Sequence, residues 1–372
     1  MRVDAIGNVD TNFNSVSLAS GTYPDWVQAL VCEPNGNILC GGRFPRHFMR
    51  LTPTGALNSA SLFAASPVFA LALQDDGRLL VGGSGLDRRT ADGNRDVSFI
   101  GSSLGTVRAI AVQADGKIVV GGDFTNWGGR PSLVRLMPGG VLDYSFDAHM
   151  AVGAKVMAIL VQTDGRIVIG GVFASAGGLA FKGLARLNDD GSGDARFDIG
   201  AGFASPTPTL VATLARQPDG KFLVGGGFTS VAGLPRRALV RLNPDGHLDS
   251  TFDTGAGPDG PVYALALEPD GNVIIVGDFN HVDGQSRDRL ARLFGDHPPP
   301  LAPRLGLPTV LDGHVSMTFP SELDRKFTLE FTDVFSPAQW TPAASVLGDG
   351  GVLPLADTNA PPSQRFYRLR VE

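Results

Sequence analysis

Cysteine, lysine and long apolar runs are what this sequence has least of, and each scarcity removes a class of protein. Two cysteines in 372 residues cannot staple a disulfide scaffold or by themselves ligate a zinc ion. Cys32 and Cys40 fall in one short hairpin. They read as two buried small hydrophobes, or as a disulfide should the hairpin register put both on one face. No apolar stretch reaches the roughly 20 residues of a membrane-spanning helix. Residues 1–20 lack the basic start and apolar core of a signal peptide. Positive charge is short as well: 31 Lys and Arg, five of them Lys, face 37 Asp and Glu, for a net charge of −6. That balance excludes a nucleic-acid or other polyanion binder resting on bulk electrostatics. There is no Ser-His-Asp ordering, His-x-x-x-His ligand spacing, phosphate-cradling glycine loop or calcium loop.

Glycine and proline are abundant by contrast, at 49 and 26 residues, and their regular recurrence signals many turns. A segment reading apolar-x-Ala-Leu-Ala-Val-Gln-x-Asp-Gly-Lys-Ile-Val-Val-Gly-Gly recurs six times. Its turn glycines Gly36, Gly77, Gly116, Gly165, Gly220 and Gly271 stand 41, 39, 49, 55 and 51 residues apart. Repetition at this period marks a repeat architecture. Each copy is two apolar runs around Asn-Gly or Asp-Gly, a dipeptide that supplies the positive φ angles of a tight hairpin. A second hairpin follows each of the first five, clearest at Val240–Phe252, with copies at Val134–Phe146, Ala185–Phe197, Met49–Phe63 and Arg88–Phe99. Two hairpins per repeat predict a four-stranded antiparallel sheet, the size of a propeller blade. Runs such as Val262–Leu267 are apolar almost throughout, as expected where both faces of a sheet pack on neighbours.

The ends of the array fit one another. The sixth copy stops after its third strand, at Leu290–Leu293, and Met1–Phe13 aligns without gaps with Val240–Phe252. Arg2 matches Arg241, Gly7 matches Gly246, Asp10 matches Asp249 and Phe13 matches Phe252. The expected fold is therefore an all-β, six-bladed β-propeller closed by its N-terminal strand, which removes the open sheet edges. A chain that begins inside a repeat also implies a leader upstream of it.

Two signatures carry a family resemblance: Gln-x-Asp-Gly-Lys-Ile-x-Val-Gly-Gly-Asp-Phe-Thr, as at Gln113–Thr125, and Arg-Leu-Asn-x-Asp-Gly-x-Leu-Asp-x-x-Phe, as at Arg241–Phe252. Over about residues 1–294 the sequence resembles the bacterial delta-sixty β-propeller repeat. The resemblance implies a propeller and, because such proteins are often large and exported, a secreted or cell-surface location. It brings no catalytic residues. Repeats one and two depart most from the pattern: Phe44–Arg50 is shortened, and Ser84-Gly85 stands where other repeats carry Asp-Phe.

Residues 295–303, with three consecutive prolines, read as a stiff linker. Beyond it, 304–372 reads as a small β-domain with strands at Val315–Phe319, Phe327–Phe331, Ala344–Leu347 and Phe366–Val371. Some 70 residues is small for an independent sandwich, so packing through Trp340 and Tyr367 is expected. Phe327–Asp333, Trp340-Thr341-Pro342 and Arg365–Val371 resemble C-terminal β-sandwich modules of exported bacterial proteins.

Topology locates a site where motifs do not. In a four-stranded blade the turns joining strands one–two and three–four share one face of the disc, and the other connections share the opposite face. The first set is uniformly tight here and the second is long and variable, so the second face is the candidate functional face. It carries Tyr23, Asp25 and Trp26 before the first blade, His47 within it, and Asn126, Trp127 and Arg130 in the third. His149 precedes the fourth blade, and His281, Asp283 and Gln285 lie in the sixth. Rings beside carboxylates and amides suit a sugar or a peptide; ordinary loop packing is the competing reading for each residue. Asp123 and Asp278 share one repeat position on opposite blades, as a metal or catalytic carboxylate pair or as caps on the following loops. No cofactor is indicated.

Asp10, Asp143, Asp194 and Asp249, with Arg135, Arg186, Arg241 and Arg292, recur and so read as structural, because a site is where blades differ. The reading favoured is an exported, monomeric, non-catalytic protein that binds a carbohydrate or a protein on the loop-rich face. The alternative is a glycan hydrolase or lyase, or a metal-dependent hydrolase, at the channel mouth.

Overall fold

A computed structural model describes residues 10–13, 26–58, 64–101, 105–205, 211–294, 305–306, 308–311, 314–321, 326–334, 339–349, 351–360 and 365–371. The chain divides into two compact units, Met1–Leu293 and Phe294–Glu372. Among the described residues no helix is long and apolar enough to cross a membrane.

In the first unit six three-stranded antiparallel sheets succeed one another, each with its strands in chain order. They are Trp26–Cys32, Ile38–Arg43 and Phe48–Leu51; Ala70–Leu73, Leu79–Gly82 and Leu86–Arg89; Val107–Val112, Ile118–Gly122 and Leu133–Leu136; Lys155–Val161, Ile167–Val172 and Leu184–Leu187; Val211–Arg216, Phe222–Gly226 and Leu239–Leu242; and Val262–Leu267, Val273–Gly277 and Leu290–Leu293. The first strands of successive sheets lie side by side, from the first sheet through to the sixth.

The local chemistry of the hairpins recurs. In all six, the Asp or Asn before the glycine accepts the backbone N–H two residues on, as Asp115 Oδ1 does from Lys117 N at 3.1 Å. Only the glycine is left-handed, Gly116 at φ 81°. The turn is thus of type I with a left-handed glycine, where the dipeptide suggested two positive φ angles. A second difference concerns the fourth strand, which shrinks to one bridged residue: Leu51 with Leu57, Arg89 with Arg95, Leu136 with Leu142, Leu187 with Gly193, and Leu242 with Leu248. The chain leaves the sheet after the next residue, an aspartate in repeats two to five: its N–H still bonds the facing arginine's carbonyl, but its own carbonyl and carboxylate accept from residues two and three positions on and turn the chain away.

That aspartate belongs to a junction device. Arg135 is 1% exposed and donates Nε–H to Asp143 Oδ2 at 2.8 Å. Its Nη1 donates to the Asp189 carbonyl at 2.7 Å, in the next repeat's turn, and its guanidinium covers the Phe146 ring at 4.9 Å. Arg88 with Asp96, Phe99 and the Pro138 carbonyl repeats the arrangement, as does Arg186 with Asp194, Phe197 and the Pro244 carbonyl. Arg241 pairs with Asp249 and covers Phe252. Where the aspartate is missing the charge moves. The first repeat has Asn58 in its place and the sixth has no such residue, and there the position of Gln74, Gln113, Gln162 and Gln217 becomes Glu33 or Glu268. Glu33 then takes Arg50 and Glu268 takes Arg292. Each of these guanidiniums keeps at least one carboxylate, as desolvation requires of the buried ones.

The junctions are also set by contact. A Cβ placed on Gly41, Gly82, Gly121, Gly170 or Gly225 would lie 2.5–2.8 Å from Cγ1 of the next sheet's valine, Val68, Val107, Val156, Val211 or Val262. Only a glycine allows that approach. In the sixth sheet the same position is Val276, which is 42% exposed, and Val27 of the first sheet is 41% exposed.

Of the N-terminal segment, residues 1–9 lie outside the described residues, so the closing strand is not described. Asp10–Phe13 keeps the repeat's tail geometry: Phe13 N–H bonds the Asp10 carbonyl, as Phe146 does that of Asp143. Phe13 packs on Cys40, Phe44, Met49 and Leu51 of the first sheet. Cys32 and Cys40 are free thiols. Cys32 pairs with Ile38 and Cys40 with Leu30, so the two stand diagonally across the hairpin.

The second unit has two three-stranded sheets: Thr309–Leu311, His314–Pro320 and Val352–Asp357; and Thr341–Leu347, Lys326–Thr332 and Phe366–Val371. Thr309–Leu311 and Val352–Asp357 were not among the expected strands. The core is Val315, Met317, Phe319, Phe327, Leu329 and Leu355, with Tyr367 against it. Tyr367 Oη donates to Asp357 Oδ2, and burial first, then that carboxylate, pushes its phenol up to about 12. Arg368 covers Trp340 at 4.4 Å. The segment 295–303 lies outside the described residues.

Candidate functional site

The connection between second and third strands builds the candidate face. It closes alike in every repeat, with the N–H of its first glycine bonded to the carbonyl just before the third strand: Gly42 to His47, Gly83 to Gly85, Gly122 to Ser132, Gly171 to Gly183, Gly226 to Ala238 and Gly277 to Arg289. Five connections begin with a phenylalanine, Phe44, Phe124, Phe173, Phe228 or Phe279, packed into the core. Phe124 lies on Leu80 and Leu86 of the preceding sheet. In repeats three to six the connection then forms a small projecting turn, bridged at Trp127 and Arg130 or paired at Ser175–Ala176 with Leu179–Ala180, Ser230–Val231 with Leu234–Pro235, and His281–Val282 with Gln285–Ser286. The loops that looked variable in sequence are thus a recurring element.

Most sequence-predicted site residues serve these turns. Trp127 is buried, edge-on to Phe124 with centroids 5.4 Å apart, and presents no free face. Arg130 donates to the carbonyls of Asp143 and Tyr144 and covers the Tyr144 ring. Asn126 Oδ1 accepts from Gly129 N. Asp283 sits at φ 47° and accepts from Ala256 N; in its turn it stands where Gly177 and Ala232 stand in theirs. His281 contacts Asp259, whose carboxyl is held down to about 2 by hydrogen bonds from His281 and Asn280. Gln285 pairs with Val282. His149, at φ 45°, leans on Asp147 and is exposed. His47, at φ 57°, has its Nδ1 buried without a partner among the described residues. Trp26 opens the first sheet, 37% exposed, under Arg43. Tyr23 and Asp25 lie outside the described residues.

Asp123 is gripped by Arg108 through two hydrogen bonds of 3.2 and 3.1 Å, and Asp278 is exposed near Arg289. Among the described residues neither carboxylate accepts from a backbone N–H of the loop that follows it. Among the described residues no three His, Cys, Asp or Glu gather as a metal site.

The second repeat is different. Its connection is cut to Gly83-Ser84-Gly85, with neither phenylalanine nor projecting turn, and a cavity of about 400 Å³ opens there. The third strand of that repeat departs in step. Asp87 faces Val81 in the register where other repeats place Met49, Val134, Ala185, Val240 or Ala291. Arg89 stands where they place Leu51, Leu136, Leu187, Leu242 or Leu293, and Arg95 where they place Leu57, Leu142, Gly193 or Leu248. Three apolar positions have become charged, and all three side chains line the cavity. Asp87 binds both arginines, Arg89 Nε at 2.9 Å and Arg95 Nε at 3.2 Å. Ser66 and Ser84 share a hydrogen bond of 3.0 Å at its rim, and Val68, Val81 and Leu86 complete the wall. None of these residues was a sequence candidate, although the Ser84-Gly85 departure pointed to them.

Residues 113–146, 162–197, 217–252 and 268–296 match the model of the family described as domain of unknown function (DUF5122) beta-propeller. No curated protein sequence matches the chain. Among solved structures it is similar to the extracellular domain of a putative one-component system from B. thetaiotaomicron, at 14% identity over 76% of this chain and 34% of that one, with a TM-score of 0.49. PorZ, a surface component of the type-IX secretion system of Porphyromonas gingivalis, is similar at 13% identity over 93% and 50%, with a TM-score of 0.46. The chain spans a third to a half of the length of these two proteins. From the family match and the six like sheets, the chain is an all-β repeat protein of the β-propeller kind.

Proposed function

We propose that the chain is an exported, non-catalytic binding protein that takes its ligand at the loop-bearing face, in the cavity of the second repeat. One observation carries this reading: a single repeat gives up its phenylalanine and three apolar positions together, and puts Asp87, Arg89 and Arg95 around the resulting space. Charges in a region that other repeats fill with hydrocarbon cost stability, and a bound polar ligand is what offsets such a cost. The volume falls within the range of roughly 300–1,000 Å³ usual for small-ligand sites. The test is a thermal-shift screen of small acids, sugars and short peptides on the whole chain and on an Asp87→Val, Arg89→Leu, Arg95→Leu variant, which restores the other repeats' residues. Ligands that stabilise the first and not the second support the reading. A panel that shifts both alike sinks it.

The scaffold belongs to the same proposal: a six-bladed ring of 1–294 in which residues 1–13 complete the last blade, followed by a linker at 295–303 and a small β-sandwich at 304–372. The Asp10–Phe13 geometry supports it, since that segment meets the first sheet as each repeat's tail meets the sheet after it. Deleting residues 1–14 should lower the melting temperature and solubility; a monomeric deletion variant with unchanged melting would refute closure.

A further inference from the structure

We infer that the cavity of the second repeat recognises a small hydroxylated carboxylate, of the sugar-acid class. The inference rests on the binding proposal above and adds the chemistry of the ligand. Two guanidiniums and one carboxylate leave the site one positive charge in excess, which favours a monoanion over a neutral or cationic guest. Arg95 gives its Nε–H to Asp87 and, among the described residues, makes no hydrogen bond through its terminal nitrogens. Those two parallel N–H groups are the fork that a carboxylate accepts in bidentate fashion. Asp87 holds the guanidinium through Nε, which reduces the ordering required when the ligand arrives.

The lining also offers hydroxyls. Ser66 and Ser84 lie 3.0 Å apart, and each can donate to and accept from a ligand hydroxyl once their mutual bond is exchanged. Among the described residues no aromatic ring lines the space, so a neutral sugar gains no stacking face from them. Phosphate would satisfy the arginines but leave the serines and the apolar wall unused. A space of this size with a cationic fork and two hydroxyls in its lining suits a single sugar-acid residue.

The test is isothermal titration of the full chain with D-glucuronate and D-galacturonate, with D-glucose, acetate and inorganic phosphate as comparisons. At least one uronate should bind ten-fold or more tighter than glucose and acetate. Arg95→Gln, on an exposed side chain, should weaken uronate by roughly ten-fold or more, the loss of a charge-assisted pair, and leave any glucose binding unchanged. The Asp87→Val, Arg89→Leu, Arg95→Leu variant should bind none of them. Glucose bound as tightly as uronate in the native chain and lost in the triple variant would overturn the acid assignment while leaving the cavity as a site. Phosphate bound as tightly as uronate would overturn the hydroxylated class. Uronate binding unchanged in both variants would place the site elsewhere and defeat both proposals, and absence of uronate binding overturns the inference alone.

Discussion

Replacing Arg135 with methionine should destabilise the first unit far more than its loss of contacts suggests. The side chain is 1% exposed and joins the Asp143 carboxylate, the Ser145 hydroxyl, the carbonyl and carboxylate of Asp189 in the next repeat, and the Phe146 ring. Methionine keeps much of the stem's packing on Phe146 but leaves Asp143, itself buried, with no cation. Removing one partner of a buried pair costs about 3–5 kcal/mol. With about 2–4 °C of melting temperature per kcal/mol for a unit of this size, the melting point should fall by about 6–20 °C. The assay is calorimetric or circular-dichroism melting of the full chain, with Asp143→Leu added to the first change. Once both charges are gone no buried ion is left unpaired, so the double variant should recover a large part of the loss. If Arg135→Met melts within about 2 °C of the native chain, or the double variant melts lower than the single, the inter-repeat pair does not act as described.

Acid should act through the same aspartates. Burial works against ionisation of Asp143, Asp194 and Asp249, but hydrogen bonds from Ser145 and Arg135, from Arg196 and Arg186, and from Thr251, Lys221 and Arg241 outweigh it and hold all three below the ordinary range. Their folded values lie below the unfolded one, so their contribution is complete above about pH 4 and disappears as pH falls through the folded values; urea midpoints flat down to pH 3 and below would contradict this. Cys32 should alkylate in the native chain while Cys40, its thiol pushed up to about 11 chiefly by burial, reacts only on unfolding; equal rates in a mass-spectrometric time course would refute the diagonal placement. Gly170→Ala puts a methyl 2.5 Å from Val211 Cγ1 and should cost about 1–3 kcal/mol, with partial recovery on adding Val211→Ala; an unchanged denaturation midpoint would mean that the sheets move apart freely.

The repeat was legible because its chemistry is local. Each Asp-Gly hairpin is closed by an aspartate bonding its own chain two residues on, so the sequence pattern and the turn are nearly the same statement. The fourth strand is shorter than its sequence suggests: after the Leu142 or Leu248 bridge the aspartate N–H still bonds the facing arginine carbonyl, but its own carbonyl and carboxylate close a turn with the residues that follow, and the strand ends there. Loop-face residues were chosen by type, and type does not report burial. Trp127 looked like a recognition aromatic and is held against Phe124. The cavity was invisible for the converse reason. Asp87, Arg89 and Arg95 resemble ordinary surface charge along the chain, and become unusual only once strand register shows that they occupy positions where other repeats place mostly buried apolar side chains.

Val276 bears on how such an array closes. Five junctions are interchangeable, each a glycine receiving a valine, and identical head-to-tail contacts of that kind propagate without limit unless something stops them. The isopropyl group of Val276 rules out that spacing on the sixth sheet, so in the proposed ring the sixth sheet would meet Val27 of the first at a wider junction than the five made in chain order. One side chain thereby sets the closing junction apart from the other five.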